Sequence, residues 1–157
     1  MGRIEERLAE LGLELPRPFA APAGVEFKFE PVRAEGGLAY VSGHGPVDGD
    51  RTLMSGKVGA EVTVEQATEG ARLTGLAILA SLRAAIGELD RVTGWARAFG
   101  MVNCAPGFNE TPAVINGFSG LILEVFGDAG RHARSAIGVA ELPFDWPVEV
   151  EAVVEIR

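Results

Sequence analysis

Three basic side chains crowd into four positions just before an apolar run. The segment is GRHARSAIGVAELP, residues 130–143, and it carries Arg131, His132 and Arg134. A guanidinium presents paired donors that match a carboxylate, and it stays charged at physiological pH. Arg134 opens a run that is typical of a strand, so it could be held as an anion site, whereas Arg131 and His132 are expected to face solvent. The alternative is that all three are surface charges.

Two acidic residues alternate with valine near the end of the chain. They are Glu149 and Glu151 in PVEVEAVVEI, residues 147–156. A carboxylate near a fixed arginine can orient water or accept a proton as a general base. The same alternation is equally typical of the exposed face of an antiparallel strand. These residues alone leave both interpretations open.

The other reactive side chains indicate no further kind of site. His44 and His132 lie 88 positions apart, with no ligand spacing that favours a metal. Ser42 precedes His44 in SGHGP, but no G-x-S-x-G elbow surrounds it, and GHGPVDGD matches no phosphate-binding loop. Cys104 is the single cysteine, so no intrachain disulfide can form, and we expect it to pack as a small apolar residue. We therefore expect neither a metal nor a cofactor.

The composition favours one folded domain and disfavours polyanionic partners. The chain has 157 residues, of which 47% are hydrophobic and 23% charged, with a formal net charge of −8. An acidic chain repels nucleic acid and anionic membrane surfaces. The N-terminus lacks the apolar core of a signal peptide, and no apolar run reaches the roughly 18 residues of a membrane span. We expect a soluble, cytoplasmic protein.

Periodicity and punctuation predict two helices framed by strands, after an N-terminal extension over residues 1–24. The extension holds a short amphipathic helix, 3–11, and a proline-rich linker. Thr63 and Gln66 form a capping box that opens the first long helix, which runs to about Ile86. Thr111 is predicted as the N-cap of the second, with Pro112 at its first position and Gly127 at its end. Strands are predicted over 25–32, 38–43, 134–141 and 147–156, and residues 89–104 are predicted to contain one long strand or two that are broken at Gly94 and Gly100.

This order predicts an α+β domain spanning residues 1–157, with one mixed sheet and two helices packed on one of its faces. The other face of the sheet then needs water or a partner subunit. The high glycine content, 21 residues, and the mixed polarity favour a partner.

Three segments together resemble the Rid family of imine deaminases, also called YjgF-like or endoribonuclease L-PSP. They are GLAYVSGHGPVDG (37–49), RSAIGVAELP (134–143) and PVEVEAVVEI (147–156). Asn116, in VINGFSGLILEVFG, stands where the family carries an asparagine on its second helix. The resemblance covers residues 37–157, and the longer N-terminus looks like that of a divergent branch.

The resemblance implies a chorismate-mutase-like two-layer fold, assembled as a homotrimer with clefts between subunits. It also implies hydrolysis of small reactive 2-imino and enamine acids, such as 2-aminoacrylate, to 2-keto acids and ammonia without a cofactor. Under it, Arg134 matches the arginine that binds the substrate carboxylate, and Glu149 matches the acid that holds or activates water. The remaining matched positions all border the cleft: the side chains of Ser42 and Asn116, and the backbone of Gly43 and Ala136.

Three positions differ from the usual family pattern. Relatives commonly carry glutamine where this chain has His44 and proline where it has His132. Their first-strand tyrosine falls here near Phe27 or Phe29. A second hypothesis is therefore a non-catalytic trimeric module that binds small carboxylates such as keto acids in the same cleft. A ribonuclease role, suggested by family names, is disfavoured by the net charge.

Overall fold

The computed structural model describes residues 1–157, with three α-helices and seven β-strands. The helices are α1 (Arg3–Glu10), α2 (Val64–Ile86) and α3 (Thr111–Phe126). The strands are β1 (Val32–Glu35), β2 (Leu38–His44), β3 (Val47–Asp48), β4 (Arg51–Thr52), β5 (Val92–Asn103), β6 (Ala133–Val139) and β7 (Val148–Ile156). None of the helices combines the length and apolar character that crossing a membrane requires.

Five strands form the main sheet, in the order β1-β2-β7-β5-β6. Every neighbouring pair is antiparallel except β5 and β6, which run parallel. A parallel pair needs a crossover, and here α3 supplies it between β5 and β6. Strands β3 and β4 form a separate small hairpin. The predicted α+β architecture with a mixed sheet is confirmed.

Helices α2 and α3 lie together against one face of this sheet. Phe118 and Leu121 of α3, Leu79 of α2, and Val150 and Val154 of β7 are all fully buried in the single large core. The N-terminal extension joins this core, because Ile4 and Leu8 of α1 are buried in it. Burying apolar side chains on a helix stripe and on alternate strand positions is what stabilises the two layers.

The predicted helix starts are right in one case and wrong in the other. The capping box of α2 is present: the Gln66 N–H donates to Thr63 Oγ1 at 3.1 Å, and the Thr63 N–H donates to Gln66 Oε1 at 2.9 Å. Thr111, by contrast, is not the N-cap of α3 but its first helical residue. Its hydroxyl instead donates to the carbonyl of Ala136 at 3.0 Å and so ties α3 to β6.

The strand predicted over residues 25–32 is also wrong, since β1 begins only at Val32. Val25, Phe27 and Phe29 alternate with polar residues, but they line a surface cleft instead of a sheet face. Alternation reports which side chains face apolar surroundings, and it does not reveal whether the backbone is paired.

The face of the sheet opposite the helices is uncovered in the single chain. Tyr40 of β2 and Ile137 of β6 are 46% and 42% exposed on it. Phe99 and Met101 of β5 lie between them and are only partly buried. Exposed apolar side chains that cluster on one face are typical of a protein contact surface.

Candidate functional site

Glu149 projects from β7 on the uncovered face of the sheet. It pairs in register with Met101, and its side chain is partly buried. Burial raises the pKa of Glu149 above its ordinary value of 4.5, and the neighbouring charge of Glu151 raises it further. A carboxylate with a raised pKa is a stronger base than an ordinary glutamate, which suits it to accept a proton from water.

Gly43 lies directly against this carboxylate, at an irregularity in β2. The register of β2 with β7 shifts between Val41 and His44, as in a β-bulge. A Cβ at position 43 would overlap the Glu149 carboxylate, so only glycine allows this close approach. The neighbouring Ser42 hydroxyl donates to the carbonyl of Glu30 at 2.7 Å. We call Ser42, Gly43 and Glu149 the Glu149 half-site.

His44 supports this half-site from inside the core. Its ring is fully buried, with Nδ1 2.6 Å from the Ser42 carbonyl and Nε2 2.8 Å from the Ser81 hydroxyl. A carbonyl can only accept, so Nδ1 carries the hydrogen and Nε2 accepts from Ser81. Burial lowers the pKa of His44 to about 4, which keeps the ring neutral. His44 thus fixes the backbone at Ser42 and forms no base–nucleophile pair with the Ser42 hydroxyl.

A cleft of about 490 Å³ opens beside the Glu149 half-site. All three residues of the half-site line it, as do Glu26 and Glu151, together with a largely aromatic wall. The wall consists of Phe19, Val25, Phe27, Phe29, Pro143, Phe144 and Trp146. This volume is in the range of small-molecule sites, which commonly combine apolar walls with a few polar groups.

Arg134 belongs to a different part of the molecule, where β6 meets α3. Its guanidinium donates from Nη1 to the Ser119 hydroxyl at 3.0 Å and from Nη2 to the Pro112 carbonyl at 3.1 Å. Burial lowers the pKa of Arg134 from its usual value, but a guanidinium remains charged at neutral pH. The side chain forms no salt bridge within the chain. A fixed, partly buried cation without a counter-ion is suited to binding a carboxylate.

His132 extends the hydrogen bonds of Arg134, which corrects the expectation that it faces solvent. Its Nε2 lies 2.9 Å from the Ser119 hydroxyl, and its Nδ1 lies 2.7 Å from the Gly130 carbonyl. A carbonyl only accepts, so Nδ1 carries a hydrogen; in the tautomer with that single ring hydrogen, Nε2 accepts from the Ser119 hydroxyl, which itself accepts from Arg134. The hydrogen bonds run from Arg134 through Ser119 to His132, which is anchored on the backbone at Gly130. Arg131 is exposed, as expected, and pairs with Asp128 at 3.2 Å.

Asn116 and Ala136 complete what we call the Arg134 half-site, together with Ser119 and Arg134. Asn116 is exposed on α3. It stands four residues after Pro112 and three before Ser119, so all three share one side of the helix. Ala136 follows Arg134 by two residues on β6 and faces the same way.

The two half-sites project from opposite faces of one sheet. Arg134 pairs in register with Ala98 of β5, and Glu149 pairs with Met101 of the same strand. Side chains alternate along a strand, so positions 98 and 101 point to opposite sides. The fold therefore brings Glu149 together with Ser42 and Gly43, and Arg134 together with Asn116 and Ala136. It does not bring Arg134 and Glu149 into one cavity of a single chain.

Sequence reasoning missed Ser119, His132 and the wall residue Phe144 as members of the site. Ser119 lies three residues after Asn116, and helical spacing alone could have placed them together. Nothing in the sequence indicates that Phe144 borders the cleft. No group of three or more His, Cys, Asp or Glu side chains is arranged to hold a metal ion.

Comparison with known proteins gives matches along nearly the entire chain. The family described as "YjgF/chorismate mutase-like, putative endoribonuclease" matches residues 5–152. Protein TCP17 of Trypanosoma cruzi is 42% identical over 157 residues, which cover 99% of this chain and 96% of that protein. Protein Atu1372 of Agrobacterium tumefaciens, whose function is unknown, is 41% identical, with a TM-score of 0.86 over 98% of this chain and 91% of its own.

Two further solved structures extend the comparison. A protein of Shewanella oneidensis, described as a "putative endoribonuclease", is 33% identical, with a TM-score of 0.89 over 99% of this chain and 100% of its own. TdcF of Escherichia coli, solved with bound serine, is 20% identical, with a TM-score of 0.60 over 92% of this chain and 98% of its own. The likeness to TdcF shows a shared fold.

Proposed function

The chain belongs to the YjgF/chorismate mutase-like, putative endoribonuclease family, and on that basis we propose that it is a homotrimeric hydrolase of small 2-imino and enamine acids. The products are 2-keto acids and ammonia. The reaction would take place where the Arg134 half-site of one subunit meets the Glu149 half-site of its neighbour.

One observation carries this proposal: the chain has two polar half-sites on opposite sheet faces, and each lacks what the other has. Arg134 is a fixed cation with no carboxylate partner, and Glu149 is a partly buried carboxylate with no cation. A cyclic oligomer joins two different surfaces of the same chain at each interface, so it can unite such halves. Tyr40 and Ile137 are exposed apolar side chains on the uncovered sheet face, and their burial between subunits would stabilise such an assembly.

The chemistry asks little of the protein beyond positioning. Arg134 would hold the substrate carboxylate by paired hydrogen bonds, and Glu149 would hold a water molecule against the imine carbon. As the water oxygen bonds to that carbon, one water proton passes to Glu149 and the C=N electron pair moves to nitrogen, which then takes that proton from Glu149. The resulting carbinolamine loses ammonia as its C–N bond breaks and its hydroxyl proton passes, by way of Glu149, to the departing nitrogen, so a keto acid remains. An enamine first takes a proton on its outer carbon and releases one from its nitrogen to become the imine.

The same cleft would serve a second candidate function, a non-catalytic module that binds small carboxylates. The serine bound to TdcF favours a site for a small carboxylate in this fold. Both functions need Arg134, so Glu149 discriminates between them. A ribonuclease role, which the family description names, is disfavoured by the net charge of −8 and is tested by salt-dependent binding to RNA.

The direct test generates 2-iminopropionate in situ from alanine with a flavin amino-acid oxidase and follows its decay. We expect the protein to accelerate this decay, and we expect Arg134→Ala to abolish the acceleration. Arg131→Ala is the matched control, since Arg131 lies in the same segment but is exposed and paired with Asp128. No acceleration by the unaltered protein, or full activity in Arg134→Ala, would overturn the proposal. Keto-acid binding that survives in Glu149→Gln, without turnover in any variant, would favour the binding module.

A further inference from the structure

Five of the seven wall residues are aromatic, and their rings contact one another in a continuous row along the cleft beside Glu149. Phe29 stacks on Phe27 at 4.6 Å, and Phe27 lies 5.0 Å from Phe19. Phe19 lies 5.8 Å from Trp146, which in turn lies 5.2 Å from Phe144. The inner rings, Phe19 and Trp146, are buried, whereas Phe29 and Phe144 are 48% and 49% exposed at the two ends. The wall therefore has a buried base and two exposed apolar ends.

Phe144 is held at this wall against its backbone preference. Its φ of 56° and the φ of 55° at Asp145 lie in the left-handed region, which is costly for residues other than glycine. The Asp145 carbonyl accepts from the Gly56 N–H at 2.8 Å, and the Asp145 carboxylate accepts from Asn103 Nδ2 at 3.3 Å. Trp146 Nε1 donates to Thr52 Oγ1 at 3.2 Å. Hydrogen bonds from several elements thus hold the turn in place. The backbone at Phe144 is strained, although the Phe144 ring stays half exposed.

We infer that the substrates of this site are carboxylates that bear a bulky apolar or aromatic side chain. This side chain packs on three rings of the wall, those of Phe27, Phe29 and Phe144. This inference rests on the proposed imine hydrolysis and specifies its substrate class. Gly43 and Glu149 line the same cleft as these rings. A reacting carbon beside Glu149 therefore places its substituent next to apolar surface instead of water. Strain that is kept at an exposed ring of a binding cleft is typical of a functional position.

The size of the cleft and its apolar wall support the same substrate class. At about 490 Å³ it has room for a phenyl or branched aliphatic group as well as the reacting carbon. Removing such a group from water, and stacking an aromatic one on Phe144 or Phe29, both favour binding. A methyl group, as in 2-iminopropionate, would leave most of the wall in contact with water.

The test compares two imines made in situ from alanine and phenylalanine by the same oxidase. We expect kcat/KM for 2-imino-3-phenylpropionate to exceed that for 2-iminopropionate. We expect Phe144→Ala to lower this ratio by about tenfold, the size of effect that loss of apolar contact in a pocket produces. Phe144→Gly removes the same ring and relieves the left-handed strain. It should therefore lower the ratio of kcat/KM values as much as Phe144→Ala does while remaining folded. Leu53→Ala, which truncates an exposed apolar side chain outside the cleft, should leave the ratio unchanged.

The possible failures are distinguishable. If the unaltered protein hydrolyses neither imine, the proposed function itself fails. If it hydrolyses both, but prefers 2-iminopropionate or keeps its ratio in both Phe144 variants, only the inference about substrate class is overturned. If the Phe144 variants dissociate the oligomer, as measured by light scattering, the wall is a subunit contact and the inference is also overturned.

Discussion

Arg134 and Glu149 belong to the same sheet but project from its opposite faces. Their partners in register, Ala98 and Met101, are three positions apart on β5, an odd spacing that reverses the direction of the side chain. No rotamer change can bring the two side chains together within one chain. If both act on one substrate, they must come from two copies of the chain.

The hydrogen bonds from Arg134 through Ser119 to His132 should set the affinity for the carboxylate. We expect Ser119→Ala to raise KM by about tenfold with little change in kcat, because it removes a hydrogen bond to a charged group. The effect of His132→Ala should be similar but smaller. The double variant should be no worse than Ser119→Ala alone, since both act through one chain of hydrogen bonds.

His132→Gln supplies the matched control for this prediction. The glutamine oxygen can accept from Ser119 as Nε2 of His132 does, so it should restore most of the loss seen in His132→Ala. Steady-state kinetics on all four variants would measure this. Additive losses, or no rescue by glutamine, would show that His132 does not act through Ser119.

The pH dependence of activity should follow Glu149. As a base, Glu149 works only when ionised, and burial and Glu151 hold its pKa above 4.5. Activity should therefore fall as the pH drops through a value higher than that of an ordinary glutamate. Glu149→Gln should lower kcat/KM by about 10²–10⁴-fold, and the remaining activity should no longer fall at low pH. Glu151→Gln should keep the activity and shift its fall to lower pH, because removal of the like charge lowers the pKa of Glu149.

Gly43→Ala should impair activity more than folding. The added methyl group meets the end of a side chain, the Glu149 carboxylate, and not rigid backbone. We expect the carboxylate to be displaced and kcat to fall at least tenfold, since small errors in position are costly in catalysis. The urea midpoint should change little. In a Glu149→Gln background the same substitution should add almost nothing, and a large additional loss there would contradict this explanation.

Acid should destabilise the fold through His44. The pKa of His44 is about 4 when folded, against 6.5 ordinarily. Between these two values the unfolded chain binds a proton that the folded chain excludes. The free energy of unfolding is therefore fully retained above pH 6.5 and falls as the pH drops towards 4, by about 3 kcal/mol in total.

Urea denaturation at several pH values would measure this dependence. His44→Gln is the control, because glutamine has both a donor and an acceptor but does not titrate. The difference in stability between the two proteins should change between pH 6.5 and 4 and stay constant above it. A constant difference over that range would mean that His44 titrates normally in the folded chain.

Much of the fold was predictable from local sequence, because helices and paired strands follow local rules. The capping box at Thr63 and the apolar alternation around Val150 specify α2 and β7 correctly. The strand predicted over residues 25–32 is wrong because Phe27 and Phe29 alternate with polar residues as in a strand while they line a cleft. The N-cap predicted at Thr111 is wrong because its hydroxyl bonds to the carbonyl of Ala136, a partner that is distant in sequence.

The candidate site was less predictable, because it depends on which face each side chain occupies. A pattern of residues marks Arg134 and Glu149 as candidates, but only the register of β5 with β6 and β7 separates them. His132 looked like a surface charge because its partner, Ser119, lies on α3. The contribution of Phe144 depends on a left-handed turn that no local rule predicts for phenylalanine.

Mixing two inactive variants tests the shared site most directly. Arg134→Ala and Glu149→Gln are each expected to be inactive as pure proteins. When they are unfolded together in equal amounts and refolded, about a quarter of the interfaces should pair an intact Arg134 with an intact Glu149. We predict recovery of about a quarter of the normal rate of imine hydrolysis. If the mixture stays as inactive as its components, while an equal mixture of each variant with the unaltered protein refolds to active enzyme, the two residues do not meet across an interface and the account is contradicted.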